Sequence, residues 1–363
     1  MLSSANKFGG DDTNLLEELL NRTIADKASD LHLVADNYPA IRVDGDLKYL
    51  DEYQKLSSSS NAQIIYALMD ERQRELLIQN RELDFSFAFS DEYRFRANVF
   101  YQRGTLSAAL RVIKTEERTF DELGMPPIVE RFTKLSHGLV LVTGPTGHGK
   151  STTLASLINT INRDRNDHII TIEDPIEFIF KSGNSLVEQR EVPHDTKNFE
   201  NALRSALRED PDVVLIGEMR DLETISAALT VAETGHLVFG TLHTNDAAQT
   251  ADRIINVFPS HQQQQVRTIL ANVLEGVVSQ RLLKKKGGGR IAACEIMTGN
   301  MAVKALIREG KAHQLPGVIQ TSAADGMISL DKSLADLVKK GIIDLNDALM
   351  WAIDQENLKT LIV

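Results

Sequence analysis

The sequence predicts an α/β protein: a small N-terminal α+β domain, then a phosphate-loop domain on a parallel sheet, then a helical C-terminus. Three observations carry this. GPTGHGKST at 144–152 stands between an apolar run, LVLV at 139–142, and TLASLIN. From residue 128 on, the near-continuous apolar runs LVLV, HIITI, VVLIG and LVFGTL alternate with helical stretches, as strands covered on both faces do. Together with a phosphate loop this is the RecA-like pattern. Before residue 115 the apolar runs are short and alternate with polar residues, the period of strands with one buried face.

In order along the chain, NLLEELLNRTIADKA at 14–28 carries apolar residues at helical spacing. LHLV, AIRV and LKYL follow as short strands, with Asp44-Gly45 as a turn signal. Ser57 to Ser60 can cap a helix over NAQIIYALMDERQRELLIQN. Alternation returns in DFSFAF at 84–89, RFRANVF at 94–100 and LSAALRVI at 106–113. Phe95, Ala97 and Val99 share one face of their strand, and Arg94, Arg96 and Asn98 the other. The first domain is expected over 1–114. Residues 115–127, TEERTFDELGMPP, are charged and end in turn residues, and are expected to be a linker. The second domain is expected over 128–363. Near its end SLDKSLADLVKK predicts a helix stopped at Gly341, followed by a helical DLNDALMWAIDQENLKTLI. KKKGGGR at 284–290 is expected to be a hairpin tip.

The chain has 363 residues, room for two domains, and a net charge of −11. The acidic balance argues against nucleic acid as a partner. Its one cysteine, Cys294, excludes a disulfide framework and a four-cysteine zinc site. No apolar run approaches the ~20 residues that span a bilayer, and MLSSANKFGGDD does not resemble a signal peptide. A soluble, cytoplasmic protein is expected, reaching a membrane only through a partner.

A strand that ends in a glycine-rich turn and opens a helix presents backbone N–H groups and a helix dipole to an anion. Gly144, four residues, then Gly149-Lys150-Ser151 is the phosphate-loop spacing, so the expected ligand is ATP with Mg²⁺. Gly144, Pro145, Thr146, Gly147, His148, Gly149, Lys150, Ser151 and Thr152 are the candidate ATP-binding residues. Gly147 and Gly149 let the backbone approach the phosphates, Lys150 reaches the β- and γ-phosphates, and Ser151 is the candidate Mg²⁺ ligand.

Phosphoryl transfer also needs a positioned water and positive charge at the γ-phosphate. TIEDPIE at 171–177 puts Glu173, Asp174 and Glu177 at a strand's carboxyl end, where open α/β sheets bind ligands. DPDVVLIGEMRD at 210–221 ends its strand in Gly217-Glu218, where the usual pattern has an aspartate. Glu218 is a candidate to polarise the attacking water, or to hold Mg²⁺ through a water, as is Glu177. Spacing does not divide these jobs among Glu173, Glu177 and Glu218. His236 and His243 bracket the strand in TGHLVFGTLHTND and are candidates to sense the γ-phosphate or a neighbouring subunit. Rings of ATPases often complete their sites with arginine from another subunit or domain. The candidates are Arg94, Arg96 and Arg111 in the first domain, and Arg204 and Arg208 in the second.

These segments in this order resemble the secretion ATPase superfamily, the motors of type II and type IV secretion and of type IV pili. The matching pieces are GPTGHGKST, TIEDPIE, LIGEMRD and GHLVFGTLHTND. DLHL, AIRVDGDL and RFRANVF resemble that family's N-terminal PAS-like domain, and QRLL and AVKALIREGKAHQL its C-terminal part. Within the superfamily the chain is most similar to the pilus-retraction ATPases, whose signature is a helix of the AIR…LIREGK type. Leu306, Ile307, Arg308, Glu309, Gly310 and Lys311 match it, while Val303 and Lys304 stand where Ile and Arg are typical. His148 replaces the usual Ser, and Cys294 a frequent His. The tetracysteine zinc module of extension and type II secretion relatives is missing.

The resemblance implies a homohexameric Mg²⁺-dependent ATPase docked at the inner-membrane base of a pilus machine. It implies that ATP lies between the two domains, with Arg94, Arg96 and Arg111 closing on the phosphates. It implies that domain motion is delivered to an inner-membrane platform protein, so that pili retract and cells twitch. The alternative it leaves is an accessory retraction paralogue that works with a principal motor.

Overall fold

The computed structural model describes residues 11–43, 45–90, 93–114 and 118–362. Asp44 of the expected turn, 115–117 of the expected linker and the first ten residues lie outside that set. The chain divides into two units, Met1–Glu116 and Glu117–Val363.

In the first unit α1 (Asp11–Ala25) precedes β1 (Asp30–Val34), β2 (Ala40–Val43) and β3 (Asp46–Tyr49). Then come α2 (Ser58–Ala67), α3 (Glu71–Asn80), β4 (Glu82–Ala88), β5 (Tyr93–Gln102) and β6 (Thr105–Lys114). The strands form an antiparallel sheet in the order β3-β2-β1-β6-β5-β4. Period-two alternation sorts its faces. Leu31, Leu33, Ile41, Phe95, Val99 and Leu110 join Leu16, Leu19, Leu20, Ile64 and Ile65 of the helices in one core.

The single helix expected over 61–80 is two. The Asp70 carboxylate accepts the Gln73 N–H at 2.8 Å, and the Gln73 side chain accepts the Asp70 N–H at 3.0 Å. This capping box starts α3 afresh, although the apolar period runs through the break.

The second unit opens on the described part of the expected linker, which is structured. Thr119 and Glu122 form a capping box around α4 (Phe120–Leu123), closed by Gly124 in the left-handed region. Phe120 and Met125 are buried with the core beneath the second sheet. After α5 (Pro127–Arg131) come β7 (Gly138–Thr143), α6 (Lys150–Asp164), β8 (His168–Glu173), β9 (Leu186–Glu191), α7 (Phe199–Ala206) and β10 (Val213–Ile216). Next are α8 (Leu222–Glu233), β11 (Leu237–Leu242), α9 (Ala247–Asn256), α10 (Gln263–Val273), β12 (Leu274–Lys284) and β13 (Arg290–Thr298). The chain finishes with α11 (Met301–Arg308), α12 (Leu315–Thr321), α13 (Leu330–Lys339), α14 (Leu345–Trp351) and α15 (Gln355–Ile362).

The sheet order is β13-β12-β7-β11-β10-β8-β9, parallel from β12 to β9, with β13 antiparallel at the edge. The four apolar runs are its central strands β7, β11, β10 and β8. Separate cores cover its two faces. A further cluster joins Leu283 and Ala293 to Leu330, Leu334, Ala348 and Leu358 of the C-terminal helices and to Ile343 between α13 and α14.

The KKKGGGR segment is the turn between β12 and β13. Its tip is tied down: the Lys286 N–H donates to the Ile342 carbonyl at 2.8 Å, and its amine pairs with Asp344 at 2.9 Å. The last helical stretch is broken between α14 and α15. There the buried Asp331 carboxylate accepts the N–H groups of Ile353 at 2.8 Å and Asp354 at 3.1 Å. No helix of the described residues is long and apolar enough to cross a membrane.

Candidate nucleotide site

β7 ends at Thr143 and α6 begins at Lys150, so 144–149 form the whole turn between them. Gly144 (φ 135°) could not be replaced freely, because a Cβ there would collide with the Gln280 carbonyl of β12. Gly149 (φ 83°) is the N-cap of α6 and brings no side chain to the helix end. The first N–H groups of α6 are therefore left to an external acceptor. Thr146 and Gly147 form the exposed lip of the turn.

The Lys150 amine donates to the carbonyls of Gly144 at 2.9 Å and Pro145 at 3.1 Å, and lies 3.5 Å from His243 Nδ1. Burial lowers its pKa, opposed by the charges of Glu218 and Glu177. A phosphate would offer this lysine charged oxygens in place of two neutral ones. Ser151 and Thr152 follow in the first turn of α6.

β10 stops at Ile216, and Gly217 then passes close to Glu173, where a Cβ would be 3.2 Å from its Cα. Glu218 follows. Its Oε1 meets His243 Nε2 at 2.9 Å and also accepts from Arg220. These contacts assign the His243 tautomer: Nε2–H donates to Glu218, and Nδ1 faces the Lys150 amine as acceptor. Lys150, His243, Glu218 and Arg220 thus form one chain of polar contacts across the carboxyl ends of β7, β11 and β10.

The three carboxylates of TIEDPIE part company. Glu173 is 7% exposed. Its Oε1 accepts from Thr171 at 2.8 Å and Gln189 at 3.3 Å, and its Oε2 from the Glu177 N–H at 3.4 Å. Burial pushes its pKa up to about 7. Glu177 lies near enough to Lys150 for its charge to act on the amine. Glu191 holds the same turn from beneath, accepting the Ile176 N–H at 2.9 Å.

His236 is not with the others. It precedes β11, whose six residues span about 20 Å, and its Nδ1 lies 3.0 Å from the Val231 carbonyl at the end of α8. Arg204 and Arg208 lie at the end of α7, which leads into the opening end of β10, opposite Glu218. Arg204 pairs with Glu200 at 2.7 Å.

Gln280 and Arg281 lie in the QRLL segment, but nothing in its sequence predicts a role for them at the turn. Gln280 donates to the His148 carbonyl at 2.6 Å and accepts from Thr153 at 2.9 Å. His148 Nδ1 accepts the Leu282 N–H at 3.0 Å. Arg281, 6% exposed, donates to the Asn245 carbonyl at 2.9 Å.

A family profile described as type II/IV secretion system protein matches residues 11–329. The chain belongs to this family. It is 50% identical over 342 residues to the type IV pilus retraction ATPase PilT of Pseudomonas aeruginosa, covering 94% of this chain and 99% of that one. It is 48% identical over 321 residues to a twitching motility protein of Neisseria gonorrhoeae, covering 88% and 86% of the two chains. A crystal structure of the pilus retraction motor PilT with bound ADP superposes with a TM-score of 0.89 at 49% identity, covering 95% of this chain and 98% of that one.

Two further groups of expected residues fall one in each unit. In the first unit, cross-strand register puts Arg96 opposite Arg111 and Arg111 opposite Asp30. Asp30 holds Arg111 at 2.9 Å, Asp84 lies 3.9 Å from Arg96, and Arg94 donates to Ser86 at 2.9 Å. In the second unit, α11 buries Val303 and Ile307 against the core and packs Leu306 beside them. Arg308, Glu309 and Lys311 are exposed around its end, Gly310 turns the chain at φ 70°, and Lys304 pairs with Glu275 at 2.8 Å.

Proposed function

We propose that this protein hydrolyses ATP and spends the free energy on retraction of type IV pili. The observation that carries this is the Lys150–His243–Glu218 chain across a glycine turn whose helix end is uncapped, in a protein half identical to a pilus retraction ATPase. In this assignment the turn 144–149 and the first N–H groups of α6 hold the phosphates, and Lys150 leaves its two carbonyls for the β- and γ-oxygens. Glu218, held by His243 and Arg220, orients the attacking water. Glu177 shares the site at Lys150, and Glu173 is a positioning residue that fixes the Glu177 turn.

The oxygen-only donors at this point, the Ser151 hydroxyl with Glu177 or Glu218 through water, suit Mg²⁺. Bound there it would neutralise phosphate charge. Arg94, Arg96 and Arg111 close on the phosphates, and His236 faces a neighbouring subunit. The working form is a homohexamer docked through an inner-membrane platform protein of the pilus, and α11 transmits the stroke. A retraction paralogue joins it as a companion subunit.

The test pairs enzyme and cell. Lys150→Ala and Glu218→Gln are expected to reduce ATP turnover on the order of 10²-fold or more. Deletion of the gene is expected to give hyperpiliated, non-twitching cells. Bald cells refute retraction, and wild-type turnover in both variants refutes the site.

A further inference from the structure

Trp351, the one tryptophan of the chain, ends α14. Its ring meets the His148 ring edge-on, centroids 5.3 Å apart with 71° between the planes. The Arg281 guanidinium lies 5.7 Å from the centre of the same indole. Each partner is committed elsewhere. His148 belongs to the phosphate turn, and its Nδ1 accepts the Leu282 N–H of β12. Arg281 donates to both the carbonyl and the side chain of Asn245, at 2.9 and 3.1 Å, two residues beyond His243. One indole therefore braces the two loops that carry Lys150 and His243. The serine typical at position 148 has no ring to meet it.

The brace has little buried surface of its own, although Lys286 and Asp331 tie the chain on either side of α14. Ala348 is the buried residue of α14, whereas Met350 is 74% exposed and Ile353, just past the helix, 66%. Elements with so few buried contacts open at low free energy. We propose that Trp351 is a positioning residue of the nucleotide site, and that α14 and the phosphate turn respond to one another through the His148–Trp351–Arg281 contact. The proposal rests on the nucleotide reading above. Coupling of this kind is reciprocal: if α14 strengthens nucleotide binding, nucleotide must bias α14.

The experiment uses the full chain with Mg²⁺ and ADP. Tryptophan fluorescence of the wild type, excited where tyrosine does not absorb so that it reports Trp351 alone, is expected to change saturably with ADP, at the concentration where calorimetry shows binding. Trp351→Ala is expected to weaken ADP binding on the order of tenfold, and Trp351→Phe, which restores an aromatic edge, to recover most of it. A merely structural tryptophan would lower the melting temperature and leave ADP affinity alone. Wild-type protein that binds ADP with unchanged emission refutes the proposal and leaves the nucleotide reading standing, as does unaltered ADP affinity in a folded Trp351→Ala variant. Wild-type protein that binds no ADP refutes both.

Discussion

Glu295 offers a measurement that needs no substrate. It is 5% exposed, on β13, and its Oε1 accepts the Ala247 N–H that opens α9, at 2.8 Å. Burial pushes its pKa from 4.5 up to about 7, Asp246 and Asp331 adding to burial and the Ala247 N–H and Arg281 opposing it. The sign follows from proton counting. Between pH 4.5 and 7 the native state keeps a proton that the unfolded chain has lost, so stability falls as pH rises through that window. Integrated, the penalty is about 1 kcal/mol at pH 5 and about 3 kcal/mol at pH 8. Glu295→Gln keeps the oxygen that accepts from Ala247 and removes the titration. The variant is therefore expected to gain about 2 kcal/mol more over wild type at pH 8 than at pH 5. Urea unfolding followed through Trp351, which lies in the same unit, reads the difference. Equal increments at the two pH values, or a loss of stability at pH 8, refute the reasoning.

Two shorter tests probe the frame of the site. Gly144→Ala places a methyl against the Gln280 carbonyl at φ 135°, so it is expected to cost about 1–3 kcal/mol and to abolish ADP binding, checked by melting and calorimetry. Asp331→Ala removes the acceptor for the Ile353 and Asp354 N–H groups, and is expected to cost about 1 kcal/mol and speed amide exchange through α15.

What could be read from the sequence was what neighbouring residues decide. Gly144, Gly149 and Lys150 announce the turn because their spacing is that of a phosphate loop between strand and helix, and β7, β8, β10 and β11 announce themselves because both faces are buried. The split at Asp70 and the helix after Thr119 were legible too, as Asp-x-x-Gln and Thr-x-x-Glu boxes, but the continuing apolar period masked the first and the charged context of 115–127 the second. β9 was hidden by its polar alternation, LVEQRE, at the sheet edge. β12 follows α10 without a break residue, and its strand character comes from pairing with β7 and β13, which no local pattern contains. The meeting of residues 148, 245, 281 and 351 is likewise a product of topology alone. Trp351 reads as one more apolar position in a helix.

The same topology resolves the crowding of acids in TIEDPIE. Three carboxylates within five residues would repel one another in a common environment. The strand end separates Glu173 from Glu177. Glu173 is drawn under the turn, where burial favours its protonated form and its oxygens are taken by Thr171, Gln189 and the Glu177 N–H. Glu177 is left near enough to the Lys150 amine for its charge to act on that cation. Glu218 arrives from a different strand and is held from two sides, by His243 and Arg220, a fixed acceptor aimed across the turn. Solvent access thus separates Glu173, buried at the end of β8, from Glu177 and Glu218, which are half-buried near Lys150.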